Sequence, residues 1–327
     1  MRRLPLTTAA ALAAAALTLA ACGTTEPAAD GSAKSSGAIS LTDASGAKVK
    51  LDGPATKVVT TEWNVTETLL TLGVDPIGVA DVKGYKTWDT AVPLKGEPKD
   101  IGTRGEPSMD TIASLSPDLI LATTDLAPAA VKQLRKVAPV LEVKSADASD
   151  QIGRMLKNLD LIAEATGTTD RAKTAREDFG DKVAEGKKAL ADAGLDGTRI
   201  AFADGYVTSN QVSLRPYTSG SLIGAVNERI GLKNAWKVKG DASYGLGSTD
   251  VEGLTGLPKG VQFGYIGSDG DKSSNPFTGA LAKNAVWKSL PFVTAGDVHR
   301  LPDGIWMFGG PGSMEAYIDA VVDALTP

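Results

Sequence analysis

From Lys57 onward, short apolar runs alternate with segments of helical period. Val58-Val59-Thr60, Ile77-Gly78-Val79, Leu119 to Ala122 and Val140 to Val143 read as strands. Glu67 to Leu72, stopped by Gly73, Met109 to Leu115, ended by Ser116-Pro117, and Pro128 to Val137 read as helices. The near-continuous apolar character of the strands fits parallel βα units with both sheet faces covered. The second half repeats the rhythm. Arg199 to Ala203 and Phe263 to Ile266 are predicted strands. Ser221 to Glu228, closed near Gly231, Thr249 to Leu254, and the terminal Ala316 to Leu325 are predicted helices.

Two stretches depart from this rhythm. Ile39 to Leu51 alternates apolar and polar positions around Asp43-Ala44-Ser45-Gly46, the pattern of a short hairpin or edge strand. Asp150 to Ala165 and Thr169 to Ala191 carry helical spacing, with Ile152, Leu156, Leu159 and Ile162 on one stripe. Gly167 interrupts them, and Thr168 or Thr169 is placed to cap the second. A helical block of about forty residues exceeds what one βα unit needs. It reads either as a connector between two α/β lobes or as two ordinary packing helices.

The first residues change the expected compartment. Arg2 and Arg3 precede an Ala/Leu-rich run, Ala9 to Ala21, too short for a permanent span of roughly 20 residues. A charged start, a short apolar stretch and small residues at its end read as an export signal. Leu19-Ala20-Ala21-Cys22 resembles a bacterial lipobox, in which the cysteine is lipidated and becomes the mature N-terminus. Cys22 is the one cysteine of the chain, so it has no internal disulfide partner. Gly23 to Gly37 has no large apolar residue and reads as a disordered tether.

Losing Arg2 and Arg3 with the leader takes 34 basic residues to 32 against 39 acidic ones, a formal charge of −7. A nucleic-acid binder typically has clustered basic residues and a pI above ~9. Nucleic acid is therefore not an expected partner. The 306 residues from Cys22 onward are enough for two lobes.

The catalytic inventory is thin. His299 is the single histidine, and metal sites usually draw on several His, Cys or carboxylate ligands. No protein metal site and no cofactor is expected. His299 has no G-x-S-x-G elbow to work with, and no G-x-x-x-x-G-K-[ST] phosphate loop is present. Gly309-Gly310-Pro311-Gly312 reads as a tight turn before the last helix.

Aromatic residues are scarce, 5% of the chain, yet many fall at predicted strand ends or in loops. Trp63 follows the strand ending near Glu62, and Tyr85 and Trp88 share a Gly-containing loop. Tyr206 follows the strand at Ala201, Tyr217 lies beside Arg215, Tyr244 occupies a Gly-rich loop, and Trp306 and Phe308 precede the glycine turn. Ligands of open α/β sheets bind outside the carboxyl ends of the strands, commonly between aromatic walls. The alternative is that individual rings cap the core. Arg104, in Gly102-Thr103-Arg104-Gly105-Glu106-Pro107, is placed either to fork onto an oxygen-rich ligand or to pair with Glu106 or Asp100.

Several blocks, in this order, resemble one family. They are Lys57-Val58-Val59 through Glu62-Trp63, Glu67 to Val74, Gly78-Val79-Ala80-Asp81, Ile101 to Pro107, Ser116-Pro117-Asp118-Leu119, Gly231 to Trp236, Gly247-Ser248-Thr249, and Trp287 to Val293 followed by Gly296. The family is the iron-siderophore-binding lipoproteins of ABC importers, of the ferric-hydroxamate type. The resemblance runs from about residue 55 to the C-terminus. It implies an α/β fold of two lobes, each with a mostly parallel sheet flanked by helices, bridged by a long helix, with a shallow cleft that moves little. It implies that Arg104 hydrogen-bonds the iron-chelating oxygens and that Trp63, Trp88, Trp306 and Phe308 line the cleft. A ferric trihydroxamate is already fully coordinated, so the protein need offer no metal ligand.

Leu246 stands where such a receptor can place a tryptophan. Tyr244, Arg215 and Tyr217 are expected to compensate, and the extra cation to favour a chelate carrying carboxylates. Permease docking in the family uses an acidic residue on each lobe. Glu252 is the second-lobe candidate, and Asp125 is the acidic residue in the corresponding first-lobe stretch, Asp125 to Lys132.

The expected organisation is a signal peptide over 1–21, a lipid-anchored tether over 22–38, lobes over 39–148 and 193–327, and a helical connector over 149–192. The expected protein is a monomer on the outer face of the cell membrane. It would bind a ferric siderophore at Arg104, Trp63, Tyr85, Trp88, Arg215, Tyr217, Tyr244, Trp306 and Phe308 and pass it to an ABC permease, without acting as an enzyme. The competing readings are a cobalamin or haem receptor on the same scaffold, or an exported hydrolase using His299.

Overall fold

The structure is a computed structural model that describes residues 37–209, 211–268 and 272–326. The export signal, Cys22 and residues 23–36 of the tether lie outside the described residues. The chain opens with the antiparallel hairpin of β1 (Ile39–Thr42) and β2 (Lys48–Leu51), Ile39 opposite Leu51. Asp43 closes its turn, Oδ1 accepting from Ser45 N and Ala47 N at 2.9 Å each.

The first lobe then runs β3 (Val58–Thr60), α1 (Trp63–Thr71), β4 (Gly78–Val79), α2 (Val82–Trp88), β5 (Lys99–Asp100), α3 (Met109–Leu115), β6 (Leu119–Thr123), α4 (Pro128–Leu134) and β7 (Val140–Val143). Its five strands are parallel in the order β5-β4-β3-β6-β7. Strands β3, β6 and β7 are buried throughout, as their largely apolar sequences require, with Glu142 of β7 paired to Arg135. The order reverses between β3 and β6, which makes the loop after β3 a natural ligand position.

Two helices follow, α5 (Gln151–Thr166) and α6 (Thr169–Asp192). They are separated by Gly167 at φ +69°, a left-handed conformation that glycine adopts without strain. The predicted stripe holds, with Ile152, Leu159 and Ile162 buried. Thr168 occupies the cap position of α6 but makes no side-chain capping bond, contrary to expectation. The connector is this pair rather than one continuous helix, and α5 packs against helices of both lobes, α1 among them.

The second lobe comprises β8 (Arg199–Thr208), β9 (Gln211–Pro216), α7 (Leu222–Arg229), β10 (Lys233–Asn234), β11 (Gln262–Tyr265), α8 (Ala280–Lys283), α9 (Ala285–Ser289), α10 (Pro291–Ala295), β12 (Val298–Arg300) and α11 (Pro311–Leu325). The strands β10-β8-β11-β12 are parallel, and β9 adds antiparallel to the far half of β8. That hairpin is invisible in the apolar pattern, because β8 continues past Ala203 with Asp204-Gly205, which reads as the end of a strand. The predicted helix over Thr249 to Leu254 is instead a short 3₁₀ turn, Glu252–Gly256. The last helix starts at Pro311, inside the stretch read as a tight turn, since proline suits a first helical position where no N–H is needed.

Candidate functional site

Loops at the carboxyl ends of both sheets meet over one cleft. Glu62 lies two residues past β3 and caps α1, its carboxylate accepting from Trp63 N at 2.9 Å. Trp63 is therefore the first residue of a helix, not a loop residue, and its Nε1 donates to Ala80 O at 3.0 Å. Arg104 stands on the tight loop after β5. Asp100 shapes that loop by accepting from Gly102 N (2.8 Å) and Val82 N (3.0 Å), with Gly102 at φ +96°. Asp100 is thus occupied by backbone, and Arg104 pairs with neither Asp100 nor Glu106 but with Glu62, Nη1 to Oε1 at 2.8 Å. Its guanidinium lies 4.0 Å over the Trp63 ring and 5.4 Å from that of Trp306. Such cation–ring contacts contribute roughly 0.5–2 kcal/mol, more as water is excluded.

From the second lobe come Arg215 on β9 and Asp204 on β8. Arg215 Nε donates to Asp204 Oδ1 at 2.9 Å, and Nη2 bonds the other oxygen. The expected free cation is therefore internally paired. Tyr217 is 0% exposed, so the expectation that it contacts a ligand fails. Its hydroxyl donates to Asp204 Oδ2 at 3.1 Å, and its ring backs Phe308 at 5.8 Å. Burial, then the charge of Asp204, push the Tyr217 phenol well above its usual value, keeping it a neutral donor.

Tyr85 is also corrected. It lies on α2, 0% exposed, and donates to Val92 O at 2.7 Å. Trp88, on the last turn of the same helix, does face the cleft. The tight turn expected at Gly309 instead leads Trp306 and Phe308 straight into α11. The rings form a contiguous wall: Trp63 to Trp306 4.8 Å, Trp306 to Phe308 5.1 Å and Phe308 to Tyr244 5.5 Å. Tyr244 is carried by a loop that Asp241 organises, accepting from Ser243 N, Tyr244 N and Leu246 N at 2.7–3.0 Å. Its hydroxyl bonds Asp125 of the first lobe.

Two adjacent cavities result. One, about 340 Å3, is lined by Glu62, Asn64, Arg104, Arg215, Tyr244, Leu246, Trp306 and Phe308. The other, about 220 Å3, shares Arg104, Arg215 and Trp306 and adds Trp63, Trp88, Asp204 and the half-exposed Tyr206. Among the described residues the charged members of the two linings are Arg104, Arg215, Glu62 and Asp204, two of each sign. Glu62 and Asp204 were not foreseen. Their signal is an acidic residue within a few positions of a buried apolar strand run, where a carboxylate has to find a partner. His299, on β12, bonds Gln262 Oε1 at 2.6 Å and lines neither cavity. Among the described residues no group of three or more His, Cys, Asp or Glu is arranged to hold a metal ion. The arrangement can grip a polar group with two guanidiniums and enclose apolar arms between rings.

The Escherichia coli iron(3+)-hydroxamate-binding protein FhuD is 24% identical over 82% of this chain and 86% of its own length. The Fe(3+)-citrate-binding protein YfmC of Bacillus subtilis is 28% identical over 79% of this chain and 77% of its own. In three dimensions the Fe3+–Desferal-bound siderophore-binding protein FhuD of Vibrio cholerae superposes with a TM-score of 0.72. It shares 24% identity over 83% of this chain and 97% of that one, a likeness of fold. Residues 58–304 match the periplasmic binding protein family, and this chain belongs to it.

Proposed function

We propose that this protein captures a ferric siderophore of the hydroxamate type and delivers it to an ABC permease, binding the chelate without transforming it. The observation that carries the reading is the pair of arginines from opposite lobes, each already paired with one carboxylate, facing one ring-lined cleft. Iron in a trihydroxamate is fully coordinated and its charge is cancelled by its ligands, whereas a tris-catecholate keeps a large negative charge. An electrically balanced cleft suits the first. Guanidinium N–H groups not taken by Glu62 or Asp204 donate to the chelating oxygens, and Trp63, Trp88, Trp306 and Phe308 cover the hydrocarbon arms. The carboxylate-bearing chelate suggested by an extra cation loses its support, because Asp204 takes up that charge. The haem reading is weakened too. Tyr217 is buried, and the Tyr244 hydroxyl is bonded to Asp125.

Anchorage through Cys22 on the outer face of the membrane rests on the sequence. So does the monomeric state. Glu252, exposed on its 3₁₀ turn, is the proposed second-lobe contact for the permease. Asp125 is engaged with Tyr244 and is a poorer first-lobe contact than its position suggested. Fluorescence titration with ferric and iron-free desferrioxamine tests the reading, since Trp63, Trp88 and Trp306 border the cleft. The ferric form should quench and the iron-free form should not. Absence of quenching by any ferric chelate overturns it.

A further inference from the structure

Behind the aromatic wall lies a buried acid pair that the binding chemistry does not use. Glu67 on α1, Asp89 just after α2 and Ser313 in the first turn of α11 are each 0% exposed. Ser313 N donates to Glu67 Oε1 at 2.8 Å and Ser313 Oγ to Oε2 at 2.9 Å. Ser313 Oγ also accepts from Trp306 N at 3.3 Å. Having given its one proton to Glu67, that hydroxyl has none for Asp89 Oδ1, 3.4 Å away.

Asp89 Oδ2 is buried with no partner as a carboxylate. No lysine or arginine among the described residues offsets either acid. Two adjacent buried carboxylates without a cation are strongly unfavourable. One proton removes both problems, because a neutral Asp89 donates to Glu67. Burial raises both acids, Asp89 to about 10 with Glu67 beside it, and the two bonds from Ser313 fall on Glu67, which leaves Glu67 the charged partner. The single remaining charge sits at the N-terminus of a 15-residue helix, where the helix dipole favours it.

The glycine run completes the geometry. A Cβ at Gly309 would lie 2.1 Å from Glu67 Oε2, so only glycine admits the carboxylate there. At the other end of the segment, Thr90 N and Ala91 N hold Gly304 O at 2.8 and 2.9 Å. The stretch bearing Trp306 and Phe308 is thereby fixed to the first lobe at both ends.

We infer that Glu67 is a positioning residue for the cleft: with Asp89 it holds one proton, and the resulting monoanion caps the last helix and pins the Trp306–Phe308 wall to the first lobe. The ligand-affinity part of the test rests on the proposed siderophore reading; the other readouts do not. Three variants of the full chain, Asp89→Asn, Glu67→Ala and the double Glu67→Gln/Asp89→Asn, are compared at a pH above the value of about 7 for Glu315 and below that of about 10 for Asp89, so that Glu315 is ionised and adds no acid band.

Infrared spectra should show the carbonyl band of a protonated carboxylic acid in the wild type, and its loss in Asp89→Asn. That variant should keep its melting temperature, and its affinity for ferric desferrioxamine within about twofold, because the amide donates the same bond. The double variant, with no anion, should exchange the amides of residues 304–313 about tenfold faster while other segments stay unchanged. It should also release ligand about three- to tenfold faster. A wild type without the acid band, an Asp89→Asn variant as damaged as Glu67→Ala, or a double variant with wild-type exchange would overturn the inference. Infrared and exchange decide it even if no ferric chelate binds, and Asp89→Asn decides it if Glu67→Ala does not fold.

Discussion

Arg215 and Asp204 face each other directly across the β8–β9 ladder, and the guanidinium forks onto the carboxylate with Nε to Oδ1 at 2.9 Å. The pairing fixes the arginine's direction and removes its net charge from the cleft. Asp204→Asn should therefore leave an uncompensated cation facing the ligand. Competition titrations should then shift preference from a ferric trihydroxamate toward ferric citrate by about tenfold, roughly 1.4 kcal/mol. An unchanged ratio would mean that Arg215 does not face the bound chelate.

Arg104 does two jobs, pairing with Glu62 and stacking on Trp63. Its replacement by alanine should weaken chelate binding by about 1.5–3 kcal/mol. Lysine should restore little, since an ammonium provides neither the fork nor the flat stacking surface. Calorimetry on both variants checks this, and full rescue by lysine would reduce the role of Arg104 to simple charge.

Tyr85 belongs to the core under the cleft, so Tyr85→Phe should leave affinity within about twofold. It should cost about 1–2 kcal/mol of stability, through the unsatisfied Val92 carbonyl. Denaturant unfolding measures the second quantity. A loss of affinity at unchanged stability would return Tyr85 to the ligand site.

Glu315 on α11 gives a pH dependence. Burial, then the nearby Asp178, raise its carboxyl from 4.5 to about 7. The folded chain thus binds this proton more tightly than the unfolded chain. Glu315 costs nothing below its unfolded value, and the penalty grows as pH rises toward 7 and is constant above it. Glu315→Gln should add about 1 kcal/mol at pH ~8, the partial exposure of the site having been allowed for, and nothing at pH ~4. Equal gains at both would assign the effect to packing.

Period and apolar run were enough to locate most of the βα units, because β3, β6 and β7 are buried on both faces and their sequences show it. The β8–β9 hairpin was not legible, since its described residues from Tyr206 to Ser213 are exposed or half-buried and break the apolar run. The arginines and rings were legible as residue types, but their directions were not. Nothing local shows that Tyr217 points inward while Phe308, against which it packs, borders the cavity. Glu67 illustrates the remaining gap: it reads as an ordinary helix residue, and its contact with Ser313 spans 246 positions of the chain.

The proposed grip of two paired arginines and a ring wall needs a chelate whose iron is already fully coordinated and whose charge is balanced. Calorimetric titration of the purified protein with a ferric trihydroxamate, the same ligand without iron, and a ferric tris-catecholate tests it most directly. A Kd of about 1 μM or lower is expected for the first, and values at least about a hundredfold higher for the other two. A tris-catecholate bound as tightly as the trihydroxamate, or no heat from the ferric trihydroxamate, would contradict it.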